Sequence, residues 1–472
     1  METLAKRDVL DRTPERKQPF LFFLSELGLI GLSSLLFALS FPSFLSEWGW
    51  FPLAYVSIAP VFILVHRCSF KGSFFYGALY GFVAYSIFNY WASTFHPFAI
   101  VIISSIYAFY FFLLFPILKL TDSMFPRYGY IVQSLIWIAY EYLRTLGFVG
   151  YPYGNIGYTQ YLFIPLIQIS SITGMWGVSL LVLFPSAFIG NALSDGFSHA
   201  KEFFREQKKI ALVYVVVLVA VLLFGFLVPR DYSEARRWKV AMIQHNADTW
   251  KGGVVQFKKN LDSLIRLSNE AMKEKPDVVI WSETAFVPGV DWHSRYRTDD
   301  ARYDLVRQFK EFMATQTVPY VTGNDDGQIK VPGAPLVNPD GTPNRVDYNA
   351  VLLYADGELK QTYRKIHLVP FTENFPYKKT FPRFYQLLVN NDYHFWEKGT
   401  EYTVFDANGV KFSTPICFED VFGDISRRFV NEGAQVIVNL TNDSWSGSVA
   451  AEMQHMAMAV FRAVENRRSV VR

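Results

Sequence analysis

The chain has few charged residues and only two cysteines. Asp, Glu, Lys and Arg together make up 18% of its 472 residues, below the roughly 25% that is usual in soluble domains. The net charge of +3 is too small to indicate a nucleic-acid partner. Cys68 ends an apolar run and Cys417 lies far away in the polar half of the chain. We therefore expect no disulfide between them and treat Cys417 as a candidate reactive thiol.

The sequence also lacks motifs for a nucleotide or a metal. It contains neither a GxGxxG run nor a P-loop, the glycine-rich loops that bind phosphates. The histidines of the second half are scattered and do not combine with cysteine at zinc-ligand spacing: His245, His293, His367, His394 and His455. We predict no metal site and no cofactor.

Long apolar segments fill residues 20–230, each close to the 20 residues or so that cross a bilayer. We predict a transmembrane helical domain with about seven spans, near 20–41, 50–66, 72–92, 98–119, 129–148, 165–193 and 210–229. A charged arm over residues 1–19 precedes the first span without a small-residue cleavage site. This favours a retained helix over a signal peptide.

Positive charges are distributed unevenly between these spans. The loops near 42–49, 93–97 and 149–164 contain no Lys or Arg, whereas the N-terminal arm and the alternate loops carry them: Lys6, Arg7, Arg12, Arg16, Lys17, Arg67, Lys71, Lys119, Arg127, Lys201, Arg205, Lys208 and Lys209. Positive residues concentrate in cytoplasmic loops. The pattern places the N-terminus in the cytoplasm and, after seven spans, everything beyond residue 230 on the opposite side.

Glu141 and Arg144 are charged residues within a predicted span. They are three positions apart and so share a helix face. Charged groups at membrane depth are costly and usually face a protein interior or a water-filled cavity. Two interpretations stay open: an internal ion pair that locks the bundle, or a contact from Arg144 to a lipid phosphate or a substrate.

Beyond Trp238 the pattern changes to short, Val- and Ile-rich runs, namely KVAMIQHN, DVVIWSE, VPYVTGN, YNAVLLYADG and AQVIVNLTND. Helical stretches near 254–274, 302–316 and 424–432 lie between them. Apolar strands that alternate with helices indicate an α/β fold with strands buried on both faces. The Asp-Gly pair in ADGE, residues 355–358, predicts a hairpin and hence a mixed sheet.

Three polar residues follow predicted strands: Glu283 in WSET, Lys365 in YRKIHLVPFTE and Cys417 in PICFED. Functional groups gather beyond the carboxyl ends of strands in α/β sheets. A cysteine reacts as thiolate, a carboxylate can accept its proton, and a lysine can stabilise an oxyanion. A packed core cysteine and salt-bridged Glu and Lys residues are the alternative interpretation of the same pattern.

These three motifs, in this order, resemble the Glu-Lys-Cys signature of the nitrilase superfamily. Together with the preceding spans, with LSFP near 39–42, EYLRTLGFVGYPY and NLTNDSWSG, the chain resembles the membrane-anchored apolipoprotein N-acyltransferase family. The resemblance implies a nitrilase-like αββα sandwich over residues 237–472. It implies a phospholipid acyl donor, an apolipoprotein acceptor, and a catalytic domain on the periplasmic side of a bacterial inner membrane.

The resemblance also assigns roles to individual residues. Cys417 corresponds to the nucleophile that forms an acyl thioester, Glu283 to the general base and acid, and Lys365 to the residue that stabilises the oxyanion. Supporting or substrate-binding positions are Glu373, Phe418, Glu419, Trp250 and Arg144. Phe418 stands where many members of the family carry Tyr.

Other functions stay open. A membrane-tethered nitrilase-type amidase would hydrolyse the thioester instead of passing the acyl group to an amine. A scaffold or transporter would have no catalytic use for Cys417.

The C-terminal stretch RAVENRRSVVR departs from the family pattern. In the family, the corresponding helix leads into another core strand and later into a final span. We expect both to be missing, so that the domain over 237–472 is incomplete at its C-terminus.

Overall fold

The computed structural model describes residues 19–95, 98–228, 232–248, 251–339, 341–390 and 395–472. The chain divides into two compact units. The helical unit comprises Met1–Arg230 and Ser446–Glu465, and the α/β unit comprises Asp231–Trp445 and Asn466–Arg472. The chain therefore leaves the α/β unit once, near its C-terminus, and returns to it.

Helices build the helical unit. They are α1 Pro19–Ser40, α2 Ala54–Ser57, α3 Ala59–Arg67, α4 Phe70–Phe88, α5 Ala92–Phe95, α6 Ala99–Met124, α7 Gly129–Leu143, α8 Ile164–Ile167, α9 Ser170–Thr173, α10 Met175–Leu193 and α11 Phe197–Leu227. Short 3₁₀ turns at Phe51–Leu53 and Ile156–Gln160 connect some of them.

Within the described residues, four helices are long and apolar enough to cross a membrane, namely Phe20–Ser40, Ala99–Met124, Met175–Leu193 and Phe197–Leu227. They coincide with the first, fourth, sixth and seventh predicted spans. The predicted spans near 72–92 and 129–148 coincide with α4 and α7, which are less apolar or shorter. The structure is thus compatible with a transmembrane protein, and the number of seven spans stays a prediction.

The segments predicted as the second and sixth spans are interrupted. Near 165–193, α9 ends where the N–H of Gly174 donates to Ser170 O, 2.9 Å away, and α10 begins after it. Gly174 has φ 63°, a conformation that glycine adopts without a side-chain clash. Near 50–66, Pro60 lies in the first turn of α3, where a proline is tolerated because its missing N–H would have no helical partner.

A further helix, α17 Val449–Asn466, groups largely with the helical unit, although we expected it within the 237–472 domain. Its side chains make polar contacts with that unit. Gln454 accepts a hydrogen bond from Trp91 Nε1 at 3.1 Å and donates to Pro42 O at 2.8 Å. Arg462 donates to the Tyr158 hydroxyl at 3.2 Å. Buried polar side chains need such partners, so these contacts fix the packing of α17.

The described strands of the α/β unit are β1 Val240–Ile243, β2 Val278–Trp281, β3 Tyr320–Ile329, β4 Arg345–Ala355, β5 Glu358–Arg364, β6 Val404–Ala407, β7 Val410–Ser413, β8 Val436–Val438 and β9 Ser469–Val471. They form two mixed sheets, the first with the order β1-β2-β3-β4-β5 and the second with the order β6-β7-β8-β9. Parallel pairing joins β1 to β2, β2 to β3, β7 to β8 and β8 to β9, and the other pairs are antiparallel.

The α/β unit also contains helices, as the α/β pattern predicts. They are α12 Gly253–Ala271, α13 Val290–Arg295, α14 Asp300–Ala314, α15 Pro382–Asn390 and α16 Gly423–Asn431. Leu261 of α12 and Phe309 of α14 share a buried core with Trp281 of β2. The predicted hairpin is confirmed: Asp356 and Gly357 join β4 to β5 with φ 53° and 75°, positive values as a type I′ turn requires.

One expectation about the C-terminal stretch was wrong. We expected no core strand after the helix that ends at Asn466, but β9 follows it and pairs with β8 in parallel, with Val436 opposite Ser469 and Ile437 opposite Val470. The Ser-Val-Val segment is short, yet its β-branched residues suit a sheet. It covers the edge of β8 that would otherwise be unpaired.

Candidate active site

Cys417 lies in a tight turn beyond the end of β7. It begins the 3₁₀ turn Cys417–Val421 with φ 47°, a left-handed conformation that residues other than glycine adopt rarely. Its N–H donates to Leu440 O at 2.8 Å, and its carbonyl oxygen accepts from Asn439 Nδ2 at 3.2 Å. The segment after β8 therefore holds the thiol in a strained backbone conformation, which is common at functional positions.

Glu283 lies two residues beyond the end of β2, and its side chain is buried. Gly323 of β3 packs directly behind it: a Cβ on Gly323 would lie 2.8 Å from the Cα of Glu283 and still closer to the backbone nitrogen of Thr284. Only a glycine permits this approach without displacing the backbone. The main chain of β3 thereby fixes the position of the Glu283 backbone, from which the carboxylate side chain extends.

Lys365 follows β5 directly, and its side chain is fully buried between two carboxylates. Its Nζ lies 2.9 Å from Glu373 Oε1 and 3.7 Å from Glu283 Oε1. Glu373 is held in turn by the backbone N–H of Val369, which donates to its Oε2 at 2.8 Å. A buried charge needs opposite charges and hydrogen bonds to offset its lost hydration. Lys365 has both.

Asn349 of β4 links the two carboxylates. Its Nδ2 donates to Glu283 Oε1 at 2.9 Å and to Glu373 Oε1 at 3.3 Å. The backbone carbonyl oxygen of Asn349 accepts from the backbone N–H of Lys365 at 2.8 Å. Asn349 was not among the site residues predicted from the sequence. The available signal was a polar residue at the start of the otherwise apolar run AVLLY.

The charges of the site shift one another's pKa values. Burial raises the pKa of Glu283, and the Lys365 ammonium limits that rise. Burial alone would lower the pKa of Lys365, but Glu373 and Glu283 outweigh it and raise the pKa above its usual range. Burial raises the pKa of the Cys417 thiol well above its usual range; Glu283 adds to the rise and Lys365 opposes it. The thiol therefore stays protonated near neutral pH and needs a base to react as thiolate.

Glu419 fastens the Cys417 turn to the Lys365 segment. Its Oε1 accepts from the N–H groups of Ile366 and His367, at 2.7 and 2.9 Å, and its Oε2 accepts from the N–H of Ile416 at 2.7 Å. The hydroxyl of Tyr363 also donates to Glu419 Oε1, at 2.9 Å. Burial raises the pKa of Glu419 to about 7, while the backbone N–H groups limit the rise because they favour the carboxylate form.

Phe418 and Asn442 complete the surroundings. Phe418 is buried, with its ring 5.0 Å from that of Phe422 and 6.0 Å from that of His367. The N–H of Asn442 donates to Glu283 Oε2 at 3.3 Å. The structure thus brings together Glu283, Lys365, Glu373 and Cys417, with Phe418 and Glu419 following the thiol.

The remaining predicted site residues are Arg144 and Trp250. Arg144 belongs to the helical unit, where its buried Nη1 donates to the Tyr107 hydroxyl at 2.5 Å and to the carbonyl oxygens of Tyr151 and Tyr153 at 2.8 Å. Glu141 accepts instead from the Ile156 N–H and the Ser179 hydroxyl. Trp250 lies outside the described residues. Within the described ranges, no group of three His, Cys, Asp or Glu side chains is arranged to hold a metal ion.

A strained cysteine beside a buried Lys and two Glu side chains, on two mixed sheets, defines a nitrilase-like α/β domain. Residues 239–472 match the family model described as carbon-nitrogen hydrolase. Residues 33–188 match the model described as apolipoprotein N-acyltransferase N-terminal domain.

Two relatives are similar over nearly the whole chain. Apolipoprotein N-acyltransferase 1 of Treponema denticola is 44% identical over 466 residues, which cover 97% of this chain and 86% of that protein. Apolipoprotein N-acyltransferase 1 of Treponema pallidum is 42% identical, with 95% and 84% covered. The chain belongs to the apolipoprotein N-acyltransferase family.

Among solved structures, a carbon-nitrogen hydrolase from Helicobacter pylori G27 is 15% identical with a TM-score of 0.29, covering 43% of this chain and 59% of that chain.

Proposed function

We propose that this protein is a membrane N-acyltransferase that moves an acyl chain from a phospholipid, through a Cys417 thioester, to the N-terminal amine of a diacylglyceryl-cysteine apolipoprotein. The observation that carries the proposal is the buried Lys365, held between Glu283 and Glu373 and close enough to Cys417 for their charges to shift the thiol pKa. Membership of the family supplies the substrate class.

The first half-reaction forms the thioester. The Glu283 carboxylate accepts the proton of the Cys417 thiol, and the sulfur attacks the ester carbonyl of the phospholipid. Lys365 Nζ and the backbone N–H that follows the nucleophile stabilise the tetrahedral oxyanion. When the intermediate collapses, the C–O bond breaks and Glu283 returns its proton to the departing lysophospholipid oxygen.

The second half-reaction transfers the acyl group. The α-amine of the lipoprotein cysteine attacks the thioester carbonyl, and Glu283 accepts the amine proton. The C–S bond breaks, an amide forms, and the proton returns to the Cys417 sulfur. Because the first product leaves before the second substrate reacts, the scheme predicts ping-pong kinetics. Glu283 serves both steps because its raised pKa suits it to hold and release a proton.

The remaining predicted residues have supporting roles in this scheme. Glu373 keeps Lys365 in place, and Glu419 joins the Cys417 turn to the Lys365 segment. Arg144 is a supporting residue of the helical unit, because its Nη1 anchors the backbone of Tyr151 and Tyr153. Its direct contact with substrate stays a prediction.

We place the acyl donor in the lipid phase. Transferring an acyl chain into water costs about 0.8 kcal/mol for each CH₂, so a site that uses phospholipid should open at the bilayer surface. We predict a lipid-facing lid in the apolar segment near 375–396, of which residues 391–394 lie outside the described residues. The side chains of Phe381, Phe384 and Leu387 in or beside α15 are 56%, 52% and 56% exposed. We expect a multi-pass inner-membrane protein with this unit on the periplasmic side.

The test is the fate of the acyl group. We would reconstitute the full chain in nanodiscs that contain a phospholipid of defined chain length, add a diacylated lipopeptide, and separate the products by mass spectrometry. The proposal predicts triacylated lipopeptide and lysophospholipid in equal amounts. Free fatty acid as the main product would indicate an amidase-like hydrolase instead.

The chain offers a matched control for this test. Cys68→Ser removes the other thiol, which is buried in the helical unit, and should retain transfer. Cys417→Ser should abolish it. Transfer that survives in Cys417→Ser, or a wild-type protein that releases no lysophospholipid, would contradict the proposal.

A further inference from the structure

Arg472 makes two charged contacts in the α/β unit that no step above uses. Its Nε lies 3.0 Å from Asp420 Oδ2, and its Nη2 lies 3.1 Å from Asp443 Oδ2. The three side chains are 17%, 1% and 11% exposed. Removing one partner of a shielded ion pair is costly because it leaves the other charge unpaired. Both pairs are also hydrogen-bonded.

Each aspartate belongs to a segment that positions a reacting group. Asp420 lies in the 3₁₀ turn that begins with Cys417. Asp443 directly follows Asn442, whose N–H donates to Glu283 Oε2. The Oδ1 of Asp443 accepts from the Thr441 hydroxyl at 3.1 Å. The Arg472 side chain therefore joins the turn of the nucleophile to the segment that holds the base.

Asp443 also acts on the thiol through its charge. Charges that shift the pKa of the Cys417 thiol include those of Glu283, Lys365, Asp443 and Glu373. Among these, Lys365 alone is cationic, and the three carboxylates disfavour a thiolate. Arg472 pairs with Asp443, so its guanidinium offsets one of these three negative charges.

We propose that Arg472 is a positioning residue, which ties the Cys417 turn to the segment that binds Glu283 and neutralises Asp443 beside the thiol. The inference rests on the proposed function, in which Cys417 is the nucleophile. It adds a second cation to the electrostatics of the site. Arg472 touches no substrate in this scheme and acts through Asp420 and Asp443.

The test measures the reactivity of Cys417 alone. In a Cys68→Ser background of the full chain in nanodiscs, the rate of alkylation by iodoacetamide would be followed from pH 7 to 11. We expect Arg472→Gln to slow alkylation at pH 9 by about three- to tenfold, since a rise of about half to one unit in the thiol pKa lowers the thiolate fraction by that factor. Arg472→Lys, which keeps the charge, should remain within about twofold of the parent.

A second substitution separates charge from simple loss of packing. Adding Asp443→Asn to Arg472→Gln removes the uncompensated carboxylate and should move the alkylation profile back toward the parent. Arg468→Gln is the matched control, because Arg468 is exposed and hydrogen-bonds only to backbone carbonyls within the described residues. It should leave the profile unchanged.

Two results would overturn the inference. One is an Arg472→Gln profile that matches the parent even where thermal stability falls, since that is what a purely structural residue would give. The other is a double variant as slow as Arg472→Gln. Because alkylation needs neither phospholipid nor lipoprotein, these outcomes are independent of whether the protein transfers acyl chains.

Discussion

The two units bury charged side chains in different ways. In the helical unit, Arg144 and Glu141 are three residues apart, yet each is bound by neutral groups. The arginine binds one hydroxyl and two carbonyl oxygens, and the glutamate binds an N–H and a hydroxyl. In the α/β unit, Lys365 is bound by two carboxylates. Neutral partners fix the position of a charge, whereas ionisable partners also set its protonation. Coupled protonation is the property that acid–base catalysis needs.

Replacing Lys365 should break this arrangement most severely. Lys365→Met leaves the buried Glu283 and the partly buried Glu373 with no cation between them, and breaking a buried ion pair costs about 3–5 kcal/mol. We also expect acyl transfer to fall by about 10²- to 10³-fold, as for the loss of one oxyanion donor. The measurements are thermal unfolding and initial rates in nanodiscs.

Lys360→Met is the control for this substitution, because Lys360 lies on the same strand β5 with a 38% exposed side chain. Its effect on both measurements should be small. If the two variants behaved alike, Lys365 would be a structural cation rather than part of the reacting cluster.

Replacing Glu283 should separate its role as catalytic base from the effect of its negative charge on the pKa of the Cys417 thiol. Glu283→Gln removes the base, so we expect transfer to fall by about 10²- to 10⁴-fold. It also removes a negative charge that raises the pKa of Cys417, so alkylation of the thiol at pH 9 should become faster. Rates of transfer and of iodoacetamide labelling check both expectations.

Glu270→Gln, on an exposed face of α12 with a 69% exposed side chain, is the control and should change neither rate. Slower alkylation in Glu283→Gln would mean that Glu283 activates the thiol in the free protein, contrary to the direction of the charge effect.

Replacing Arg144 should have the smaller effect on acyl transfer, because its hydrogen-bond partners in the helical unit are neutral and do not set a protonation state. Arg144→Met removes three hydrogen bonds to a charged group, each worth about 1.5–3 kcal/mol, so the unfolding temperature should fall. The KM for phospholipid and the rate per folded molecule should change less than about threefold.

The control for Arg144 is Arg127→Met at an exposed position, which should leave unfolding and KM near wild type. A KM that rises more than tenfold in Arg144→Met would instead support the predicted contact between Arg144 and the lipid substrate.

The residues at strand ends were predictable from the sequence because apolar runs show where strands stop. Glu283 and Lys365 follow such runs, and the positive φ values of the ADGE hairpin follow from its Asp-Gly pair. Their roles came from the motifs around them. Gly323 and Asn349 were not predictable in this way, because their importance depends on which strands become neighbours.

Contacts between distant segments account for the other differences. The hydropathy of α17 does not reveal that Gln454 binds Trp91 and Pro42, and so its grouping with the helical unit could not be predicted. The break at Gly174 lies in a run, residues 165–193, that has no charged residue, so hydropathy averaged over the run does not reveal the turn. Strand β9 was missed because its three residues are too few to show a strand pattern in the sequence, although they are enough to pair with β8.

The most direct test of the central claim is the intact mass of the protein after exposure to phospholipid alone. The account predicts a gain of one acyl chain on Cys417, absent in Cys417→Ala. It predicts that this adduct disappears when a diacylated lipopeptide is added, with amide product formed in equal amount. An active protein that carries no acyl group on Cys417, or an adduct that lipopeptide does not discharge, would contradict it.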